Sequence, residues 1–136
     1  MLKWDLRKRS AHVSYRVLVV EDSSTMRSFV AAALEAEGEC EITSAPSGFE
    51  ALKVLPRQRF DLIITDINMP DINGLELIRF LKESPQYRDT PLIIISTEGR
   101  DRDRQKGLQL GANEYLIKPF PPEELVRLVK KYLGAA

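Results

Sequence analysis

Five polar or charged side chains stand directly after short apolar runs in this sequence of 136 residues, at points where strands would end. They are Glu21, Asp22, Asp66, Ser96 and Lys118. Carboxylates that lie close together repel one another and raise their pKa values unless a cation neutralises them. Oxygen ligands without histidine or cysteine favour a hard ion, and Mg²⁺ needs only a few protein carboxylates because it keeps several waters. These residue types predict a Mg²⁺ site if the fold brings them together.

A lysine and a hydroxyl beside an acidic metal site are the groups that phosphoryl transfer to a carboxylate requires. Asp66 would be the nucleophile. Mg²⁺ and Lys118 would neutralise the equatorial oxygens of the transferring group, and the Ser96 hydroxyl would hydrogen-bond one of them. Taken singly, the same residues also suit simpler roles: Asp22 as a helix cap, Ser96 as a strand-end hydroxyl and Lys118 as a solvated cation.

Five short apolar or alternating runs predict the strands that must position these groups. Runs of purely apolar residues indicate strands buried on both faces, whereas the alternation at 40–44 indicates a strand near a sheet edge. The third run, Leu62 to Ile64, stops at Asp66 and is followed by a turn that contains proline. The predicted strands are residues 16–20, 40–44, 62–64, 92–95 and 114–117.

Apolar residues at helical spacing predict a helix after each strand. The expected caps are Asp22 or Ser23 for the first helix, Ser47 in a capping box with Glu50 for the second, Asn73 for the third, and Pro121 or Pro122 at the start of the fifth. A β-α unit repeated five times predicts an α/β fold of the flavodoxin-like (βα)5 type. Its doubly wound parallel sheet would have strand order 2-1-3-4-5, which places the ends of strands one and three side by side.

The fourth helix, residues 100–110, has the weakest apolar pattern. Only Gly107, Leu108 and Gly111 form an inner stripe, so this helix is expected to be the least firmly packed. Weak packing suits a moving element, and a simple solvated helix accounts for the pattern equally well.

The composition excludes several classes of partner. Twenty basic residues balance twenty acidic ones, so nothing in the net charge attracts nucleic acid or an anionic membrane. The single cysteine, Cys40, cannot form an internal disulfide and is expected to be a buried small hydrophobe. No apolar run is long enough for a membrane span, and the amino terminus lacks a signal-peptide pattern, so a cytoplasmic location is expected.

The length predicts one domain, preceded by a short basic segment. Residues 1–15 carry four basic side chains against one acidic and are expected to form a loosely ordered arm. Trp4 and Leu6 could anchor this arm on the domain or on a partner, and His12 is expected to be solvated. The domain itself would span residues 16–133, with a tail at 134–136.

The segments VLVVED, DLIITDINMP, LIIIST and YLIKPF resemble the receiver domains of two-component response regulators. The resemblance covers residues 16–133, and the arrangement is most similar to the single-domain CheY-like regulators of chemotaxis, because no output domain follows the last helix. The resemblance implies that Glu21, Asp22, the phosphoacceptor Asp66 and the main-chain carbonyl of Asn68 bind metal. It implies that Lys118 contacts phosphate and precedes a cis peptide bond to Pro119. The switch residues would be the Ser96 hydroxyl, with Thr97 beside it, and Tyr115 as the aromatic side chain that rotates.

The resemblance also implies how such a protein works. A histidine kinase would donate the phosphoryl group, and the domain would catalyse only its own phosphorylation and dephosphorylation rather than act as an enzyme on other substrates. Phosphorylation would shift the population toward a state that binds a downstream effector through the fourth helix, fifth strand and fifth helix. A monomer or weak dimer is expected, with neither nucleic acid nor membrane as a partner.

Thr97 and residues 100–104 depart from the family pattern, and two further residues concern the lifetime of the phosphorylated state. Thr97 stands where the family often has alanine or glycine, which is expected to narrow access to the phosphoryl group. The charged sequence of residues 100–104 differs from the flagellar-motor-binding surface of the enteric chemotaxis regulator, so motor binding is not predicted. Asn68 and Glu98 occupy positions that tune dephosphorylation in the family, and their polarity predicts a short-lived phosphorylated state.

Three other functions compete with this interpretation. A flavodoxin-like electron carrier would need a phosphate-binding loop after strand one, where this chain has two acids. A phosphorylation-independent interaction module would be favoured if the acids or Lys118 were missing, and all are present. A phosphatase with an aspartyl nucleophile would need a second acid at the position of Asn68.

Overall fold

The computed structural model describes residues 14–97 and 101–134, without the side chain of Asp101. The predicted basic arm therefore lies outside the described residues, except for Ser14 and Tyr15. Glu98 and the last two residues also lie outside them. In the part of the chain that is described, no helix is long and apolar enough to cross a membrane.

Five strands and five helices alternate along the described part of the chain. The strands are β1 (Tyr15–Val20), β2 (Cys40–Ala45), β3 (Leu62–Asp66), β4 (Leu92–Ser96) and β5 (Glu114–Ile117). The helices are α1 (Ser24–Glu35), α2 (Gly48–Val54), α3 (Gly74–Glu83), α4 (Asp101–Leu110) and α5 (Pro122–Leu133). All strand pairs are parallel and the order is β2-β1-β3-β4-β5, which confirms the predicted fold class. Tyr15, the last residue of the predicted arm, lies in β1.

The sheet separates two apolar layers because successive side chains of a strand point to opposite faces. Leu18 and Ile63 pack in one layer with the inner sides of α2 and α3. Val19 and Ile64 pack in the other layer with α1 and α5. Each fully buried aliphatic side chain of this size contributes about 1.5–3 kcal/mol relative to leaving it in water. The three central strands, β1, β3 and β4, are buried on both faces. This packing fixes the positions of the residues at their carboxyl ends.

The helix ends follow the predicted capping pattern. Ser23 rather than Asp22 caps α1 by accepting a hydrogen bond from the Met26 N–H at 3.2 Å. Ser47 accepts from the Glu50 N–H at 3.2 Å, Asn73 accepts from the Leu75 N–H at 2.8 Å, and Pro122 is the first residue of α5. Asp22 is thereby left available for another role.

The predicted inner stripe of α4 is only partly right. Gly107 is buried, and a Cβ there would lie 2.4 Å from Ile94 Cδ1, so the helix approaches the sheet closely at this point. Leu108 is 37% exposed, whereas Leu110 is half-buried and packs against the core. The prediction was right at Gly107 but wrong at Leu108, because residues three positions apart, such as Gly107 and Leu110, share a helix face, whereas adjacent residues do not. Cys40, expected to be buried, is half-buried at the start of β2.

Asp71 joins the loop after β3 to the start of α2. Its carboxylate accepts hydrogen bonds from the N–H groups of Gly48 at 3.2 Å, Phe49 at 2.9 Å and Ile72 at 2.8 Å. These bonds, that from Phe49 foremost, lower the pKa of Asp71 to about 2. The loop that follows Asp66 is therefore tied to a second helix through a carboxylate that stays ionised.

Substituting Asp71 with alanine is expected to lower the melting temperature at neutral pH. Because the pKa is depressed in the folded state, the stabilisation is present above the ordinary aspartate value and is lost as the pH falls through about 2. Thermal unfolding of both proteins between pH 7 and pH 2 measures this, and the difference in melting temperature should shrink toward the acid end. A difference that is constant with pH would contradict a role for the ionised carboxylate.

Candidate functional site

Three carboxylates meet where β1 and β3 end. Glu21 and Asp22 follow β1, Asp66 ends β3, and the two strands pair side by side with Val20 opposite Thr65. One carboxylate oxygen from each acid lies within 4.8 Å of the others. Glu21 and Asp66 are buried, whereas Asp22 is exposed to solvent. The cluster has a closed interior side and an open exterior side.

The Lys118 ammonium group bridges the two buried acids. Its Nζ donates to Glu21 Oε1 at 2.7 Å and to Asp66 Oδ2 at 3.2 Å, and its side chain is only 12% exposed. The Lys118 N–H donates to the Ser96 carbonyl at 2.8 Å, and the Lys118–Pro119 peptide bond is cis. The end of β5 thus delivers a cation to acids that lie 97 and 52 positions away in the sequence.

Burial and the contacts between the charged groups both shift the pKa values of this cluster. Burial raises the pKa of Glu21, against the hydrogen bonds from Lys118 and the Ser23 N–H, and the charge of Asp66 raises it further. Burial alone would lower the pKa of Lys118, but its hydrogen bond to Glu21 and the charge of Asp66 outweigh burial and raise it. Lys118 is therefore held as a cation, and it offsets the repulsion between the acids.

Backbone groups hold the remaining oxygens of the buried acids. The Ser23 N–H donates to Glu21 Oε2 at 3.0 Å, and the Asn68 N–H donates to Asp66 Oδ1 at 3.0 Å. The Thr65 hydroxyl donates to the Asp66 carbonyl at 2.9 Å. Both carboxylate groups are fixed in orientation before any ligand arrives.

The first turn of α3 lies directly against the chain at Asp66. A Cβ on Gly74 would lie 2.4 Å from the Asp66 carbonyl oxygen and 2.4 Å from Ile67 Cα. Because these contacts are with backbone atoms, no side-chain rotation can relieve them. The Gly74 N–H also donates to the Ile67 carbonyl at 3.0 Å. Glycine at this position lets the helix support the residue that ends β3.

Arg27 is a site residue that the sequence pattern did not indicate. Its Nη1 donates to the carbonyls of Glu21 at 2.8 Å and Asp22 at 3.2 Å. A basic residue one turn into the helix after an acid pair is the only local signal, and it fits many exposed helices. The contact depends on the angle at which α1 leaves the sheet, which the sequence pattern does not contain.

The remaining predicted residues that the structure describes differ in burial. Ser96 is fully buried at the end of β4, one position beyond Ile95, which pairs with Asp66. Thr97 and Asn68 are exposed. Tyr115 is half-buried on β5 and packs against the apolar layer that contains α2 and α3. Glu98 lies outside the described residues.

The donor set fits a hard divalent cation. Glu21, Asp22 and Asp66 offer oxygen atoms only, close enough to share one ion, and the exposed Asp22 leaves that side open to water. Mg²⁺ prefers carboxylates together with several waters, so this chemistry suits it better than the softer transition metals. The arrangement could therefore bind a cation and hold a nucleophilic carboxylate at the same place.

Comparison with known proteins gives a family for this site. Residues 17–130 match the family model of the response regulator receiver domain. The chain belongs to this family. It is a single receiver domain of the CheY-like type, and a role in signalling follows from the family.

Individual relatives support the assignment over nearly the whole chain. A chemotaxis protein CheY homolog from Campylobacter jejuni is 38% identical over 120 residues, which are 88% of this chain and 92% of the relative. The structure of chemotaxis protein CheY4 from Vibrio cholerae superposes with a TM-score of 0.83 at 36% identity, covering 88% of this chain and 99% of that chain.

A third relative contains the cation. The receiver domain of a sensor histidine kinase from Pseudomonas aeruginosa PAO1 has a TM-score of 0.81 at 30% identity, covering 90% of this chain and 99% of that one. It has a magnesium ion coordinated in its active site cleft.

Proposed function

We propose that this receiver domain is a phosphorylation-dependent switch of a two-component or chemosensory pathway. It accepts a phosphoryl group from a histidine kinase onto Asp66 and thereby changes its partner-binding surface. The observation that carries the proposal is the position of Asp66: a buried carboxylate beside two further acids and 3.2 Å from an ammonium group.

In the proposed reaction, an Asp66 carboxylate oxygen attacks phosphorus while the phosphorus–nitrogen bond of the donor phosphohistidine breaks. The products are an acyl phosphate and a histidine, and water later attacks the acyl phosphate, which restores the carboxylate and releases inorganic phosphate. When bound by Glu21, Asp22, Asp66 and the Asn68 main-chain carbonyl, Mg²⁺ would supply positive charge to the phosphoryl oxygens. Lys118, whose Nζ lies 3.2 Å from Asp66 Oδ2, would neutralise the negative charge that develops there.

The hydroxyl and aromatic residues would transmit the change. Ser96, one position past the strand partner of Asp66, would donate to a phosphoryl oxygen and draw the end of β4 toward it, with Thr97 limiting access. Tyr115 would then move further into the space beside α4. Asn68, exposed two residues after the phosphoacceptor, and Glu98 would set the rate at which water attacks.

The effector surface would lie on α4, β5 and α5. Two large hydrophobic side chains are exposed there, Leu108 on α4 at 37% and Ile117 on β5 at 43%. Exposed apolar side chains next to a moving element are typical of a surface that binds a partner in one of two states.

A small phosphodonor tests the proposal without the kinase. Incubating the protein with acetyl phosphate and Mg²⁺ is expected to add one phosphoryl group, as measured by intact mass spectrometry. The adduct should be absent when EDTA replaces Mg²⁺, because the three clustered acids would then repel the incoming anion. A protein that is never phosphorylated, or that is phosphorylated equally well in EDTA, would contradict the proposed site.

A further inference from the structure

A groove of about 520 Å³ separates α1 from α5, away from the acid cluster. The residues that line it include Ala33, Ala36, Glu37, Pro122, Val126 and Lys130. Glu37 and Val126 also border a narrow slot that reaches Tyr15 and Cys40, so the slot adjoins the groove. The volume lies within the range of about 300–1,000 Å³ that is typical of ligand pockets. The groove can therefore accept an aromatic side chain together with its neighbours.

The end of the groove next to Cys40 is acidic. Glu35, Glu37 and Glu39 are exposed at the end of α1 and in the turn that follows. Burial raises the pKa of the Cys40 thiol, and the negative charges of Glu39 and Glu37 raise it further. Lys130 contributes one opposing charge, which is paired with Glu37 at 2.8 Å. A basic segment would be attracted to this end.

The sequence that precedes Ser14 has the matching chemistry. Residues 1–13 contain four basic side chains, Lys3, Arg7, Lys8 and Arg9, against the single acid Asp5. Trp4 and Leu6 stand among them and are large enough to fill an apolar groove. This segment is thus complementary in charge to the acidic end of the groove and in apolar character to its walls, whereas one acid and one base, Glu123 and Arg127, balance along the rest of the lining.

The chain path also permits the contact. Tyr15 lines the slot, whereas Ser14 lines a separate hollow with Pro56 and Arg59, so the described chain begins beside the slot. The ten residue-to-residue steps from Trp4 to Ser14 can span about 33 Å when extended. The twelve residues of α1 extend only about 18 Å. Trp4 can therefore reach any point along the groove.

We propose that residues 1–13 dock in the α1–α5 groove of their own chain, with Trp4 and Leu6 against its apolar walls and the basic side chains facing Glu35 and Glu39. This contact goes beyond the phosphorylation switch, because it covers the side of α5 that faces α1 and does not involve the acid cluster. Any partner that binds the α1–α5 face must first displace the arm. Because the attraction is partly electrostatic, high salt weakens it.

Tryptophan fluorescence tests the proposal directly, since Trp4 is the single tryptophan of the chain. Its emission is expected to be blue-shifted and several-fold protected from acrylamide quenching relative to a peptide of residues 1–13. Ala33→Arg places a long cationic side chain in the groove and should restore the red-shifted, quenchable emission of the peptide. Ala32→Arg is the matched control, because Ala32 is exposed and is the neighbouring residue on the same helix.

Cys40, the single cysteine, provides a second reporter in a protein whose domain is unaltered. The double substitution Trp4→Ser and Leu6→Ser is expected to speed the reaction of Cys40 with a thiol reagent several-fold, without changing the circular dichroism spectrum. The result of this test does not depend on whether the Ala33→Arg protein folds.

Three outcomes would overturn the proposal. One is a wild-type emission identical to that of the peptide, and another is protection that Ala33→Arg leaves intact. The third is protection that increases with protein concentration, which would place the arm in the groove of a second copy. All measurements are made without a phosphodonor, so their result does not depend on whether Asp66 accepts phosphate.

Discussion

Asp66→Asn is expected to abolish phosphorylation by acetyl phosphate completely while leaving the protein folded. The amide keeps the size of the carboxylate and can still accept a hydrogen bond from Lys118, but its oxygen is too weak a nucleophile to form an acyl phosphate. Removing one negative charge also relieves the repulsion that helps to raise the pKa of Glu21. Intact mass measures the adduct, and circular dichroism together with thermal unfolding establishes that the fold is kept.

Asp61→Asn is the matched control for this loss. Asp61 precedes the same strand at its opposite end, where its exposed carboxylate accepts a hydrogen bond from the Arg16 N–H at 2.8 Å. Its substitution removes the same charge from the protein but is expected to leave the adduct at the wild-type level. An adduct that persists in Asp66→Asn would mean that another group is the phosphoacceptor.

Lys118→Met is expected to reduce both the phosphorylation rate and the stability of the protein. Removing a preorganised charge beside the transferring group slows reactions of this kind by about 100-fold or more. The same substitution leaves Glu21 and Asp66 buried without their ammonium partner, and breaking a buried ion pair in this way costs about 3–5 kcal/mol. The initial rate of adduct formation and urea unfolding in EDTA measure the two effects separately.

The stability difference should depend on pH at both ends of the range. Because the pKa of Lys118 is raised in the folded state, its contribution is complete below the ordinary lysine value of about 10.4 and is lost as the pH rises above that value. At acid pH Glu21 becomes protonated and neutral, so the loss of the Lys118 ammonium group no longer leaves a buried negative charge unpaired at Glu21. The difference between wild type and Lys118→Met is therefore expected to be greatest near neutral pH.

Lys131→Met is the control for the lysine substitution. Lys131 lies on α5 and pairs with Glu114 at 3.1 Å, but its side chain is 57% exposed. Exposed ion pairs contribute little because water screens them, so stability and phosphorylation should remain near wild type. Equal losses in both lysine variants would show that the effect of Lys118→Met comes from the change in net charge and not from the buried contact.

The fold was predictable from the sequence because burial follows local periodicity. Runs such as Leu92–Ile95 are apolar throughout, since both faces of the sheet are covered by helices. A β-α unit repeated five times leaves few alternatives for the sheet, and the observed strand order is the predicted one. The prediction was weakest in α4, where Leu108 was expected to face the sheet but is exposed, whereas Leu110 packs against the core.

The sequence by itself determined which side chains arrive at the end of each strand, because the end of an apolar run marks the end of a strand. Only the tertiary structure decided how those side chains pair: Lys118 lies 2.7 Å from Glu21 and 3.2 Å from Asp66, and Arg27 binds the carbonyls behind the acid pair. Such contacts depend on helix angles and on strand register across the sheet, and neither is contained in the spacing of residues along one element. Local patterns therefore predict the composition of the site, whereas its geometry follows from the packing of the whole domain.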